Sequence, residues 1–484
     1  MSVLVIDVGT SGVRVAVVRP DASAAFDRHV QTLPASPAQG LVELDAAALA
    51  STALRLACDA LDATGRVDAV GISNQRASVV VWDRATGAPI APGIGWQDLR
   101  TVGRCLELRA AGLRLAPNQS ATKFEHILDS ADPDRSADLC LGTVDSWMAW
   151  VLTEGALHAT DATNAAVTGL LAPGATAWDG SVLDALRIPT STLPVVVDSA
   201  CTAGGEIGVA TALPGTPPIT AMLGDQQASL AGQACVRPGD AKITFGTGGM
   251  LDLNLGGSPP SFDQRGPAGT FPIIAWRHAG ADTWGIESIM LAAGTNVEWL
   301  RDDLGLVATA AESHDVAARC ADTGDVSYVP ALLGLGTPHW DYGARGTLLG
   351  ITRGTGRPEV VRAVLEGVAH RGADLVEAAE TDSGAKIPVL RIDGGMSDNP
   401  TFVQALADAS QRTVEVSPVR EATALGAGLL AGIAVGHRSG IDDIASTWSP
   451  RLRVEPSRAL DRDRWREACA RAGGWIGALS GIDF

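Results

Sequence analysis

The sequence predicts an α/β protein built from two similar lobes. Strand-like apolar runs alternate with helix-like stretches along the chain. Two hairpin patterns with Gly/Thr-rich turns, at 3–18 and 241–255, lie about half a chain apart. A length of 484 residues exceeds what one hydrophobic core usually fills. The Pro/Gly-bearing stretch VRPGD at 236–240 marks the boundary, giving lobes at 1–238 and 239–484. No residue-level repeat relates the halves.

Each element follows from local pattern. VLVID, GTSG and VRVAVV form the first hairpin, with a tight turn at Gly9, Thr10, Ser11 and Gly12. The stretch 44–63, LDAAALASTALRLACDALDA, has helical apolar spacing. The strands VGIS and SVVVW flank Arg76, and a turn carrying Trp96 follows. The strand 219–223 ends in Gly224 and Asp225, with a helix expected to start at Gln226. AKITFGTGGMLDLNL repeats the hairpin in the second half, and VLRIDGGMSDNPTFVQALAD at 389–408 runs strand, Gly-Gly turn, helix. The tail 461–479 is expected to be one amphipathic closing helix.

Composition excludes several classes of partner. Acidic residues outnumber basic ones 55 to 37, and the formal charge of -18 repels nucleic-acid phosphates and anionic membranes alike. The seven cysteines are scattered without a CxxC pair, which indicates neither a disulfide framework nor a zinc site. Met1 leads directly into a strand, and no uncharged run approaches the ~18 residues of a membrane span. A cytoplasmic protein is expected, with no nucleic-acid or membrane partner.

Three places carry chemistry. Asp7 ends an apolar strand at a Gly/Thr/Ser turn, where backbone N–H groups can cradle phosphate while the carboxylate holds Mg²⁺; an ordinary hairpin turn has the same pattern. TFGTGG at 244–249 offers similar donors in the other half, so a nucleotide clamped between lobes is favoured. Neither a Walker GxxxxGK[ST] nor a strand-helix GxGxxG is present. Asp225 sits where open α/β sheets bind ligands, although a carboxylate there also serves as a helix cap. The turn at 394–395 has small residues that let a flat base approach the backbone.

In nine ordered segments, among them IDVGTSGVRVAV, GISNQRASVVVWDRATG, SATKFEHILD, GDQQASLAGQ, KITFGTG and IDGGMSDNPTFVQALAD, the chain resembles the FGGY family of carbohydrate kinases, and within it the glycerol kinases. The resemblance implies an actin-like, ribonuclease-H-like fold closing over ATP and a polyol or sugar, and a homodimer. It makes Asp225 the general base, Asp7 the Mg²⁺-associated carboxylate, and Thr10, Ser11, Arg14 and Thr247 the phosphate contacts. Gly294, Glu298, Gly395 and Asn399 fall at nucleoside-pocket positions, Glu298 replacing a common glutamine. Arg76, Trp96, Asp225 and Gln226 match the polyol pocket: Arg76 donates a planar fork to hydroxyl oxygens and Trp96 packs the carbon chain. Ala77 stands where glycerol kinases carry a glutamate, Asn118 where they carry a tyrosine, and Met250 where they carry a phenylalanine. Losing a charged acceptor in a desolvated pocket costs about 1.5–3 kcal/mol of recognition. The expected reaction is ATP-dependent phosphorylation of a primary hydroxyl, with glycerol the leading acceptor and a tetritol, pentitol or ketose such as xylulose the alternative. Actin-like filaments and chaperone lobes share the fold, but a nucleotide-gated binding module has no need of Arg76, Trp96 and Asp225 together.

Overall fold

In the computed structural model, which describes residues 1–172, 177–201 and 205–482, each half of the chain folds around its own sheet. The first sheet comprises β1 (Val3–Gly9), β2 (Gly12–Val18), β3 (Ala24–Gln31), β4 (Ala69–Asn74) and β5 (Ile219–Gly224), in spatial order β3-β2-β1-β4-β5. β1, β2 and β3 are an antiparallel meander, whereas β1, β4 and β5 run parallel. The second sheet contains β6 (Ala241–Phe245), β7 (Gly249–Gly256), β8 (Phe271–His278), β9 (Ala281–Met290), β10 (Val389–Asp393), β11 (Thr413–Val416) and β12 (Leu452–Val454). Its central order, β9-β7-β6-β10-β11, repeats that of the first sheet, again three antiparallel strands followed by two parallel ones. The halves therefore share a topology without sharing a sequence repeat.

Helices follow from capping and small-residue packing. α1 (Ala46–Thr64) starts where the Asp45 side chain accepts the Ala48 N–H, and its apolar stripe covers one face of the first sheet. α2 (Asp225–Gly232) begins one residue earlier than the sequence suggests: β5 runs straight into it, and the N-cap residue is Gly224. Asp225 is therefore the first helical residue rather than the cap, and its carboxylate accepts only the adjacent Gln226 N–H, at 2.8 Å. α3 (Arg357–Ser383) carries a proline in its first turn, is closed by the left-handed Gly384, and packs on the second sheet. α4 (Ala422–Ala434) belongs to the second half by sequence, yet it covers the free face of the first sheet, with Gly428 over Val5 and Val18 and with Ala427 and Leu430 in the same apolar cluster.

α2 and α4 cross where neither carries a side chain. A Cβ on Gly426 would lie 1.8 Å from the Ala228 carbonyl oxygen, and one on Gly232 would lie 1.9 Å from that of Ala422. The two helices meet backbone to backbone and stitch the halves together.

A small sheet of Glu43–Leu44, Val79–Asp83, Gly93–Ile94 and Leu139–Thr143 sits beside the first. Pairing of Val79 with Ile94 brings the turns bearing Arg76 and Trp96 to the same end. The tail departs from expectation: its helix spans Arg462–Ala472, stops before Gly473 and Gly474, and a separate turn of helix, Gly477–Ser480, follows. The seven cysteines are free. Among the described residues no helix is long and apolar enough to cross a membrane.

Candidate active site

The carboxyl ends of the strands in both sheets gather the residues singled out above. Asp7 lies near the end of β1, and its Oδ1 accepts the Ser73 hydroxyl at 2.9 Å from the paired strand. Desolvation pushes its carboxyl up to about 7; the Ser73 hydrogen bond opposes this, while the charges of Asp225 and Glu421 reinforce it and Arg14 partly offsets them. Arg14 itself is bound on two sides, 2.6 Å from Asp27 and 3.0 Å from Glu421. A crowded carboxylate of this kind, short of positive charge and offering only oxygen, suits a hard divalent cation.

Arg76 reaches from the first half to the second. Its Nε lies 3.6 Å from Asp225 Oδ1, its Nη2 donates to Glu287 Oε2 at 2.6 Å, and Nη1 is buried without a hydrogen-bond partner among the described residues. Burial raises the Glu287 carboxyl, and Arg76 counteracts it. Only glycine fits behind this arginine, because a Cβ on Gly224 would lie 2.6 Å from the Arg76 Cγ and Cδ. Asp225 is also raised, first by desolvation, with Arg76, the Gln226 N–H and Lys242 holding it down. A half-buried carboxylate beside an arginine with a free donor can accept a proton from a hydroxyl that the arginine orients.

Trp96 closes one side of this group. Its N–H donates to Ser78 Oγ at 2.9 Å, its carbonyl accepts from Lys123 Nζ at 3.1 Å, and its indole Nε1 donates to Thr10 Oγ1 at 3.1 Å. The tryptophan expected to pack the substrate thus touches the first phosphate turn directly. Lys123 is fully buried, and desolvation lowers it to about 7.

In the second half, the Thr247 turn is held against residues 293–295: Ala293 N–H and Thr295 Oγ1 donate to the Thr247 carbonyl, and Gly294 N–H donates to that of Gly246 at 2.8 Å. Gly394, at φ 85°, lies so close to Phe245 that a Cβ would stand 2.4 Å from its carbonyl oxygen, which brings Gly395 beside the same turn. Asn399 caps the helix Pro400–Ser410 by accepting the Phe402 N–H, and donates to Ser313 Oγ at 2.8 Å. Both ends of that amide are engaged within the fold, which fixes its orientation at the edge of this turn.

The other expected positions are more loosely placed. Ser11, Thr247, Glu298 and Gly395 are exposed; Met250 is half-buried on β7, opposite Thr244 and Ile289. Ala77 is 5% exposed with φ 60°, the left-handed region, and its carbonyl accepts the Ser120 hydroxyl at 3.1 Å. Asn118 is exposed on the turn two residues before Ser120. Hollows of about 190 Å³ beside His370 and Arg464, and of about 460 Å³ beside Arg84 and Trp150, contain none of these residues.

Comparison with known proteins assigns the chain. Residues 2–232 match the N-terminal domain, and residues 241–435 the C-terminal domain, of the FGGY family of carbohydrate kinases. The chain belongs to the FGGY carbohydrate kinases. It is 40% identical to a glycerol kinase of Aromatoleum aromaticum, over 98% of this chain and 99% of the relative, and 38% identical to glycerol kinase 2 of Thermotoga maritima over 98% and 99%. A Plasmodium falciparum glycerol kinase solved with ADP is 27% identical, with a TM-score of 0.88 over 100% of this chain and 99% of that one. A Lactobacillus acidophilus xylulose kinase, 19% identical with a TM-score of 0.85, shares the fold. As an FGGY kinase the protein transfers phosphate from ATP to an alcohol.

The structure of this FGGY kinase adds residues that sequence reading passed over. Glu287 on β9, Lys242 on β6 and Asp252 on β7 are lone charges inside apolar strands, buried and adjacent in register: Lys242 pairs with Asp252, and Asp252 with Glu287. Glu421 and Gln75 join them, Gln75 accepting from Ser78 Oγ at 3.1 Å. The available signal was a charged residue at an inward strand position. His339, Asp374 and Cys469 also lie close together, but the Asp374 oxygens already accept from Arg371, Arg462 and Trp465, so that group is a structural knot.

Proposed function

We propose that this chain transfers the γ-phosphoryl group of ATP to a primary hydroxyl of a polyol, with glycerol the leading acceptor. The observation that carries the reading is Asp225: a half-buried carboxylate at a strand end, 3.6 Å from the guanidinium of Arg76, which keeps a buried donor free. The relatives named glycerol kinase support glycerol as the acceptor.

Arg76 and Gln226 hold hydroxyl oxygens, Trp96 packs the carbon chain, and Asp225 takes the proton of the attacking hydroxyl. Thr10, Ser11, Arg14 and Thr247 face the phosphates, and Gly294, Glu298, Gly395 and Asn399 surround the nucleoside. Asp7 would hold Mg²⁺, which when bound neutralises charge on the phosphate oxygens. The lobes divide at 238/239, and the enzyme works in the cytoplasm, where ATP is made.

A longer polyol or a ketose is the second reading. Ala77 supplies no carboxylate, whereas Glu287 presents one from the opposite lobe, beside Arg76. The test is ADP release with glycerol, tetritols, pentitols and xylulose as acceptors. The highest kcat/KM on glycerol supports the first reading and on a four- or five-carbon acceptor the second; ATP turnover unaffected by every acceptor contradicts both.

A further inference from the structure

Lys242 has no part in the reaction as described, yet its ammonium lies within 3.0 Å of three side-chain oxygens. It is fully buried as the second residue of β6, and its Nζ donates to Gln226 Oε1 at 2.7 Å and to Thr244 Oγ1 at 3.0 Å. It also forms an ion pair with the equally buried Asp252, 2.7 Å from Oδ2. An ammonium has donors and no acceptor. The end of the Gln226 amide that faces it must therefore be the oxygen, since a flipped amide would set N–H against N–H beside a buried positive charge.

We propose that Lys242 is a positioning residue that fixes the Gln226 amide so that its Nε2–H donors, and not its oxygen, are left to meet the acceptor substrate. This rests on the reading that Gln226 faces the polyol. Polyol hydroxyls are then met by donors from Arg76 and Gln226 and by an acceptor at Asp225, so each is fixed by its role and cannot exchange partners. Thr244 passes the ordering onward: its oxygen accepts from Lys242 and lies 3.3 Å from Ser229 Oγ, which donates to Asp393 Oδ2 at 3.3 Å, at the end of β10 beside the Gly394 turn. Lys242 thus links the polyol side to the strand end on the nucleotide side.

Gln226→Ala, Gln226→Glu and the double variant Lys242→Met/Asp252→Leu separate the alternatives, with glycerol as acceptor and KM for glycerol and ATP measured separately. Gln226→Ala is expected to raise glycerol KM about tenfold, the cost of one such hydrogen bond, with ATP KM within about twofold. Gln226→Glu keeps the partner of Lys242 but has no donor to offer, so its glycerol KM should rise at least as far. The double variant replaces a buried ion pair by apolar side chains, a change that folds often tolerate. It should show native-like thermal stability with the Gln226→Ala defect in glycerol KM. A purely structural lysine would leave glycerol KM of the folded double variant at the wild-type value, and that result overturns the proposal. So does Gln226→Glu with wild-type glycerol KM while Gln226→Ala is impaired, because the oxygen then faces the substrate. Unchanged glycerol KM in Gln226→Ala overturns the underlying placement of Gln226, and the proposal with it.

Discussion

Asp7 shows how a single residue trades stability for chemistry. Its carboxyl is pushed up from 3.8 to about 7 in the folded chain, so the native state binds more protons than the unfolded state between those values. The sign follows: the charged carboxylate destabilises the fold progressively as pH rises from about 4, and fully above about 7. Asp7→Asn is therefore expected to melt higher than wild type at pH 8, by a margin that shrinks through pH 6 and vanishes near pH 4, while losing most activity. Thermal melts of both proteins across that range check it; a margin that grows toward low pH contradicts the assignment. At Ala77 the issue is specificity. Alanine already occupies the left-handed backbone region, so Ala77→Glu adds no new backbone penalty, and its effect comes from the side chain. The expected outcome is a higher kcat/KM for glycerol and a lower one for four- and five-carbon acceptors, read from both ratios in mutant and wild type. That Arg76, Trp96 and Asp225 stand at turns or strand ends was legible in the sequence, because each lies beside a recognisable motif. Lys242, Asp252 and Glu287 were not, because a lone charge in an apolar strand gives no hint of its cross-strand neighbours until register is known.

Among the elements, the crossing of α2 and α4 positions Asp225 and Glu421. α2 begins at Asp225, and α4 follows directly on Glu421, the partner of Arg14. Thr423 Oγ1 also donates to the Asp225 carbonyl, at 3.4 Å. A Cβ at 426 has no room against Ala228, so Gly426→Ala must separate the helices. A destabilisation of about 3 kcal/mol, at the upper end of overpacking costs, is expected, together with reduced kcat. Urea denaturation and steady-state kinetics measure the two effects; full stability with full activity would show that the crossing tolerates displacement. This contact could not be read from the sequence. α4, ATALGAGLLAGIA, is apolar and small on every side, so no stripe announces its partner. Conversely, the body of α1 was legible from its amphipathic spacing, although its start was read two residues early because Leu44 belongs to a strand and Asp45 is the cap; that strand, Glu43–Leu44, and Gly93–Ile94 were too short to leave a periodic trace. The tail helix fell short of expectation because Gly473 and Gly474 interrupt an otherwise continuous pattern.

For the whole molecule, two sheets of the same topology meet at the α2–α4 crossing, and the proposed closure over ATP and polyol would turn about that contact. The turn at 236–240 is pinned to the second sheet through Gly239 N–H on the Asn254 carbonyl, at 2.8 Å, so it is expected to move with that lobe. Solution scattering should show a smaller radius of gyration with a non-hydrolysable ATP analogue and acceptor together than with either alone; identical curves contradict closure. Arg76 already bridges to Glu287, which limits how far the lobes part while that ion pair holds. In the proposed reaction Asp225 removes the proton from an acceptor hydroxyl in a site assembled by both lobes. The most direct measurement of this step is single-turnover transfer from ATP to acceptor by Asp225→Asn, with acceptor and ATP affinities determined in parallel. The account predicts affinities within a few-fold of wild type and transfer slowed about 10²–10⁴-fold, the usual worth of general-base assistance. Transfer retained above about a tenth of the wild-type rate, with affinities unchanged, would contradict it.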